Sequence, residues 1–570
     1  MLKKWITKNV DSATADGLSK SLALSKVVAG VLAGRGISSV EEGRAFLYPS
    51  LSSMPDPFLL KGMKSAVARL CYARSREEKI CIYGDYDVDG ITGTALLVSF
   101  LRRTGFDCSY FIPNRFDDGY GLNQDALKRV IDTGVTLIVS VDCGITSVAE
   151  ADFCRQHGTD LIITDHHSPK ETIPDACAVV NPLQPGCLYP FKLLAGAGVA
   201  FNLMVALRSN LRQEGAFADS SEPDLREWLD LVALGTIADV VPLIGQNRVY
   251  AYNGLKLLGS GNRTGIVALK RVAGVKDPVT CGQVGFRLAP RLNAAGRMEC
   301  AVPGVELLIG SDPQRSAMIA EELDAANAER QAIERSMLEE AISMVEGDGA
   351  YPARRSIVLA SGSWHQGVVG IVASRIVERY HRPTILIALD EDGNGKGSGR
   401  SIPGFHLLNA LNSCSENLVR YGGHQYAAGI GLTADKLQAF SAAFESAAVL
   451  LLGDKELVPT LDVDAVLTPD DVNADLIEEL KRMEPFGAGN PEPTFMMRGL
   501  KAVDRRVVGD GHLKLRLSVK GVVFNAIAFR QADCLTDGLI DVAFFPELNV
   551  WNNSTSIQLR IKDIRPAEGG

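Results

Sequence analysis

Eight side chains of this 570-residue sequence have the types and spacing that hold divalent cations. Three aspartates alternate in "KICIYGDYDVDGITG", at Asp85, Asp87 and Asp89. Asp142 follows "TLIVSV", Asp165, His166 and His167 follow "DLIIT", and Asp239 lies in "LVALGTIADVVPL". The trio alone fits the first half of a calcium loop, with Gly90 at the sharp turn. Such a loop needs a bidentate glutamate at its last position, and here that residue is Leu96. Carboxylates gathered without cations would repel and raise one another's pKa. Asp239, in apolar surroundings, would not stay charged without a partner. Mixed Asp and His ligands with no thiolate suit Mn²⁺ best, with Mg²⁺ or Zn²⁺ admissible. Two ions about 3.5–4 Å apart are the arrangement that activates water for in-line phosphoryl hydrolysis. The expected cofactor is therefore two ions of Mn²⁺ (or Mg²⁺). Any single aspartate after a strand can instead cap a helix, and Asp85 either binds metal or only shapes its loop.

These groups can meet only if the elements before them share an edge. "KICIYG", "FDCSYFIP", "TLIVSVDCG", "DLIITDHH" and "CAVVNPL" read as strands buried on both faces of a parallel sheet. "NQDALKRVIDTG" and "SVAEADFCRQHG" read as helices between them. The predicted fold is α/β, a doubly wound, mostly parallel sheet over residues 76–305. The carboxyl ends of its strands line one rim, where ligands bind at a topological switch point.

Residues 1–75 read as an N-terminal helical lead-in. One long helix is expected within 306–350, over Ser311–Gly349, capped by Ser311 or Asp312. Ile319, Leu323, Ala326, Ile333, Met337, Ala341 and Val345 form its single apolar stripe, which favours a link between two lobes over a coiled-coil dimer. At 1.5 Å per residue it reaches roughly 50 Å. A second, smaller α/β block follows over 351–452. "RSIVLAS" and "RPTILIAL" are its strands, "GVVGIVASRIVERY" its helix, and "GNGKGSGRS" and "YGGHQYAAG" its glycine-rich loops. Five strand-like runs over 455–570 suit a small β-barrel of OB type, with a sandwich as the alternative.

Composition is that of an ordinary globular protein, 46% hydrophobic and 22% charged. The first residues carry no apolar core of a secretory signal, and no 18-residue apolar run could cross a bilayer. Eleven cysteines stand singly, without a C-x-x-C pair, which favours a reducing cytoplasm over zinc ribbons or disulfides. The net charge of −9 lowers the expectation of nucleic acid but does not exclude a basic groove.

"YGDYDVDG", "VDCG", "TDHHSP" and "LGTIADVVPL" resemble the four phosphoesterase motifs of the DHH superfamily. "WHQGVVGIVASRI", "GSGRS" and "YGGHQYAAG" resemble its associated C-terminal domain. With "PRLNAAGR", "EPFGAGNPEP" and the β-rich tail, nearly the whole chain is similar to the superfamily's bacterial single-strand-specific 5′→3′ exonucleases. The resemblance implies Asp87 on one metal, Asp89 on the other and Asp142 bridging, with His166 and Asp239 completing the second site. It gives His167 the scissile phosphate, as transition-state stabiliser or proton donor, and makes Asp142 and Asp85 further residues of the catalytic centre. Some members carry a His where this chain has Tyr83, so the first metal has fewer protein ligands. Arg115 and Arg297 are implied as phosphate binders, Ser398 and Arg400 as holders of the 5′ phosphate, and His424 as a contact or a loop support. Arg505, Arg506, Lys514, Arg516 and Arg560, with Phe495, Phe524 and Trp551, are candidates for grip on the barrel, most of the aromatics being expected in its core.

The activity so implied is exonucleolytic release of 5′-mononucleotides from single-stranded DNA in repair and recombination. A helicase and a single-strand-binding protein are the expected partners, the chain acting as a cytoplasmic monomer away from membranes. The rivals are a DHH-type phosphodiesterase for short oligonucleotides or cyclic dinucleotides, and a non-catalytic DNA-binding scaffold.

Overall fold

The structure is a computed structural model that describes residues 3–115, 117–218, 221–509, 511–532, 538–551 and 554–567. By its internal packing the chain forms two units. One comprises Met1–Lys4, Ala294–Cys300 and Glu321–Thr460, the other Trp5–Asn293, Ala301–Ala320 and Leu461–Gly570.

The larger unit is built on five strands, β1 (Ile80–Gly84), β2 (Cys108–Phe111), β3 (Leu137–Val141), β4 (Asp160–Thr164) and β5 (Ala178–Val180). Their order is β2-β1-β3-β4-β5, and every pair is parallel. β1 and β3 are buried along their whole length, as their mostly apolar runs require. The helices Val88–Arg103, Gln124–Ile131 and Val148–Gln156 follow β1, β2 and β3. Asn123 caps the second of these, its side chain accepting from Ala126 N.

The same unit holds the C-terminal barrel. Strands Phe495–Val508, His512–Val519, Val522–Ala528, Leu539–Trp551 and Ser554–Pro566 close on themselves, with one parallel contact between the third and the fifth. This is a closed five-stranded OB-type barrel, not a sandwich. Period-two alternation builds it: Leu513, Leu515 and Leu517 point inward while Lys514 and Arg516 are exposed. The first helices, Ser12–Leu22 and Lys26–Ala33, place Leu18, Val28 and Leu32 in one core with Leu480, Phe495 and Phe544 of the C-terminal region. Trp5 Nε1 donates to Asp563 at 2.7 Å.

The long helix spans Pro313–Gly347. Asp312 caps it, accepting from Gln314 N at 2.8 Å. Ile319, Leu323, Met337, Ala341 and Val345 of its stripe are buried within the chain.

In the smaller unit five strands run in the order Arg420–Gly423, Ala427–Thr433, Asn394–Arg400, Thr384–Leu389 and Ile357–Ser361. The first segment expected as a glycine-rich loop is therefore a strand, and the second is a hairpin, two strands joined by a turn at 424–426. A Cβ at Gly397 would stand 2.7 Å from Ile430 and 2.9 Å from Ile387. Glycine here makes room for close packing rather than marking a turn. Among the described residues no helix is long and apolar enough to cross a membrane, and the ten described cysteines are free thiols.

Candidate active site

Register places the acidic residues side by side. Gly84 of β1 pairs Val141 of β3, and Val141 pairs Thr164 of β4, so Asp85, Asp142 and Asp165 come next on neighbouring strands. The ladder continues one residue past each strand, with Asp85 N bonded to Val141 O and Asp142 N to Thr164 O. Asp87 is both a rim residue and a cap: its Oδ1 accepts from Asp89 N and Gly90 N at the start of Val88–Arg103. Asp89 points at the first turn of helix Gly196–Gln213, accepting from Gly196 N at 2.5 Å and Ala197 N at 2.8 Å. Asp239 ends helix Leu229–Ala238.

Two interlocked ligand groups result. Asp85, Asp87 and Asp142 bring one carboxylate oxygen each within 4.8 Å of one another, and Asp89, His166 and Asp239 do the same. His166 Nε2 ties the groups together, 3.0 Å from Asp142, 3.6 Å from Asp239 and 3.9 Å from Asp89. Asp85 Oδ1, Asp142 Oδ1 and His166 Nε2 are nevertheless buried without a hydrogen-bond partner among the described residues. The 3.0 Å contact is close but misaligned for a hydrogen bond, the relation expected of two atoms aimed at a third between them. Oxygen and imidazole donors, orphaned in a buried site, fit a divalent pair.

Electrostatics agree with that fit. Burial first, and Asp87 second, lift Asp89 to about 7 against the amides of Ala197 and Gly196. Burial, Asp89 and Asp87 push Asp239 up to about 9. Burial and neighbouring carboxylates hold Asp85 and Asp142 well above the usual range. Burial, reinforced by His167, drives His166 down to about 4, which leaves its imidazole neutral as a ligand must be.

His167 is held differently. Its Nδ1 lies 2.8 Å from Asp165 Oδ1, and burial, which opposes its charge, is outweighed by that bond, raising it to about 9. Asp165 also accepts from the amides of Ile145, His166 and His167. Burial works against the Asp165 charge, but the His167 bonds keep it below the ordinary value. The Tyr120 hydroxyl stands 3.2 Å from His167 Nε2. His167 also falls within reach of Asp142 and His166 as a ligand set, but its Nδ1 is committed to Asp165.

The backbone is strained where the ligands sit. Asp142 has φ 65° and Val240, next to Asp239, φ 61°. A β-branched residue in that region costs on the order of 1–3 kcal/mol and persists only where its surroundings over-determine it. A Cβ on Gly196 would stand 2.6 Å from Asp142 Oδ1, and one on Gly235 2.8 Å from Asp89 Oδ1. Neither these glycines nor Tyr120 and Asn293, whose Oδ1 accepts from Val88 N, stand out as site residues in the sequence. Tyr83 is wholly buried, its hydroxyl bonded to Gly121 O rather than facing the rim.

Among the substrate candidates, Arg115 lies in the larger unit, its guanidinium 5.3 Å from the Tyr86 ring centroid. Arg297, the other implied phosphate binder, belongs to the smaller unit and donates to Gly367 O at 3.2 Å. Ser398 and Arg400 share a strand of that unit, Arg400 donating to Ser398 Oγ at 2.9 Å and to Gly399 O at 2.8 Å. A Cβ on Gly370, in the first turn of helix Val369–Tyr380, would meet both at 3.0 Å. His424 is exposed in the hairpin turn after Arg420–Gly423, its N bonded to Ala427 O.

On the barrel, Arg505, Arg506, Lys514 and Arg516 are exposed. Arg560 is a correction, for it pairs with Glu547 at 2.9 Å and with Glu492, so its charge is matched within the fold. Phe495 and Phe524 are buried in the core, as expected for most of the barrel aromatics, and present no face to a base. The Trp551 side chain lies outside the described residues.

Comparison with known proteins gives three matched regions: DHH family, N-terminal domain, over residues 79–236, the DHHA1 domain over 355–449, and the RecJ OB domain over 463–563. The chain is 39% identical to the single-stranded-DNA-specific exonuclease RecJ of Bacillus subtilis (strain 168), covering 99% of this chain and 71% of that one. It is similar, at 33% identity and a TM-score of 0.85, to RecJ of Thermus thermophilus in complex with Mn²⁺, over 99% of this chain and 80% of the other. With the Mg²⁺ complex of that protein the TM-score is 0.79 at 32% identity, over 99% and 79%.

Proposed function

The chain belongs to the RecJ family of single-stranded-DNA-specific exonucleases, and on that premise we propose that it degrades single-stranded DNA from the 5′ end, releasing 5′-mononucleotides. It is a metal-dependent exonuclease. The observation that carries the reading is the pair of ligand groups joined by Asp142 and His166, with three buried donor atoms left unpaired. Asp87 and Asp85 would hold one ion, Asp89, His166 and Asp239 the other, and Asp142 both. Bound there, two divalent ions lower the pKa of an attacking water and offset charge on the displaced phosphate.

The chain's own residues supply the rest. Asp165 fixes the His167 ring through Nδ1, so Nε2 is the atom that can donate a proton to a phosphate or leaving oxygen. Arg115, over Tyr86, offers a planar fork for phosphate oxygens. Ser398, Arg400 and the amides of the adjoining helix start suit a terminal 5′ phosphate, with Arg297 and His424 as further contacts. In this division of labour residues 76–305 cut, 351–452 hold the end and 455–570 grip the strand through exposed cations. The long helix of 306–350 links them, and the lead-in of 1–75 completes the barrel core. A helicase and a single-strand-binding protein would feed a cytoplasmic monomer, a setting that the free thiols favour.

One single-stranded oligonucleotide labelled at either end, incubated with Mn²⁺, tests this. A 5′ label should leave at once as mononucleotide while a 3′-labelled strand shortens stepwise. Internal cuts, or attack confined to dinucleotides, would reject it.

A further inference from the structure

Asp239 is followed by a segment that its own helix holds through Val240 N, which donates to Ile237 O at 3.3 Å. Val240 takes its strained φ of 61°, and the chain continues through Pro242 and Leu243 without regular structure. Asn247 Nδ2 donates to Pro242 O at 3.1 Å, and the remaining hold comes from far along the sequence. Leu243 N donates to Ala488 O at 2.7 Å. A Cβ on Gly489 would stand 2.7 Å from Pro242, and one on Gly487 2.7 Å from Leu243. These two glycines belong to a tight turn closed by mutual Gly487–Asn490 backbone bonds.

The turn is itself fixed. Asn490 is wholly buried, its Nδ2 donating to Met483 O at 2.9 Å and Pro485 O at 2.8 Å, and its Oδ1 accepting from Arg35. Arg248, buried and 3.9 Å over the Phe46 ring, donates to Phe46 O at 2.7 Å and Glu484 O at 2.8 Å. A buried arginine spent on backbone carbonyls is an expensive way to hold a loop unless the loop's position matters.

We infer that the Met483–Pro491 turn is a positioning element of the metal centre. By clamping Pro242 and Leu243 it holds Val240 in its strained conformation and Asp239 at the rim, and Asn490 is its keystone. The inference rests on the metal-binding reading of Asp239. Partners that orient a ligand from behind typically alter metal affinity by about 10–100-fold.

The test is Mn²⁺ binding by electron paramagnetic resonance on the full chain, without DNA. Asn490→Ala should weaken the ion that Asp239 helps to hold about tenfold, leave single-strand affinity in chelator unchanged, and regain turnover in excess Mn²⁺. Placed on Val240→Gly, which removes the strain, the same change should cost much less affinity. If Asn490→Ala does not fold, Arg35→Gln, which removes only the bond to Asn490 Oδ1 and Pro491 O, carries the same expectation. Wild-type Mn²⁺ affinity in the variant, or an undiminished loss on the Val240→Gly background, overturns the inference. Failure of the unaltered chain to bind Mn²⁺ overturns instead the metal reading beneath it.

Discussion

The rim of the parallel sheet and the strand Asn394–Arg400 both gather charge around close-packed glycines, yet they do so in opposite ways. At the rim, buried carboxylates face a part-buried imidazole, and buried atoms of Asp85, Asp142 and His166 are without hydrogen-bond partners among the described residues. On the strand, Arg400 is only part-buried and already gives its protons to Ser398 and Gly399. The first arrangement is incomplete without its cations, whereas the second is satisfied before any ligand arrives. Chemistry should therefore depend on the rim nearly absolutely, and the strand should adjust affinity by degrees.

The sharpest way to break that contrast is Asp142→Ala. Asp142 belongs to one ligand group and touches His166 of the other. Its loss should lower kcat by about a thousandfold or more, about 4 kcal/mol at 1.36 kcal/mol per decade. Single-strand affinity, measured in chelator, should change by no more than about twofold, or about 0.4 kcal/mol. A variant that retained a tenth of its turnover would show that the groups do not act together.

Next comes the pH dependence of stability without metal. Asp89 and Asp239 are raised to about 7 and about 9 from an unfolded value of 3.8. The folded state thus binds the extra protons, and their stabilisation is complete below 3.8 and lost as pH rises through 7 and then 9. Each group in its window removes about 1.4 kcal/mol per pH unit. In chelator the Tm should fall between about pH 5 and pH 8, and excess Mg²⁺ should abolish most of the fall. A flat profile in chelator would mean that the rim is not strained by its own charge.

The same contrast explains what was legible in the sequence. Most ligand residues could be read because they follow apolar strands, and parallel strands end on one edge. Asp239, which ends a helix, was legible as a lone carboxylate in an apolar run. Residues that act by approach across the fold could not. Tyr120 meets His167 from 47 positions away, and Gly196 is required only because Asp142 crowds it. The glycines of Asn394–Arg400 imitate a loop, since their reason, the side chains of Ile387 and Ile430, lies on other strands. Arg560 looked free because its partner Glu492 is 68 residues earlier. The apolar faces of the first helices gave no sign that a barrel 460 or more residues later would cover them.

Arg400→Ala sharpens the comparison from the other side. It should raise KM for a 5′-phosphorylated strand about tenfold, within the range for a charge-assisted hydrogen bond, and change kcat little. A 5′-hydroxyl strand should be indifferent to the change. Equal loss on both ends would remove the end-binding role and place Arg400 among structural residues of its sheet.

The smallest effect is expected on the barrel, and it separates two kinds of arginine there. Arg506 and Lys514 stand directly opposite on adjacent strands, both exposed. Like charges so placed repel, and an anionic backbone laid across them would relieve the repulsion. Arg506→Ala should therefore leave Tm unchanged or slightly raised, weaken single-strand binding modestly, and reduce the slope of log affinity against log salt by about 0.7. Arg560→Ala should do the reverse. With Glu547 stripped of this partner and Glu492 left to Lys562, it should lower Tm while the salt slope stays as it was. If both variants changed the slope equally, ion pairing within the fold would not decide which barrel cations meet DNA.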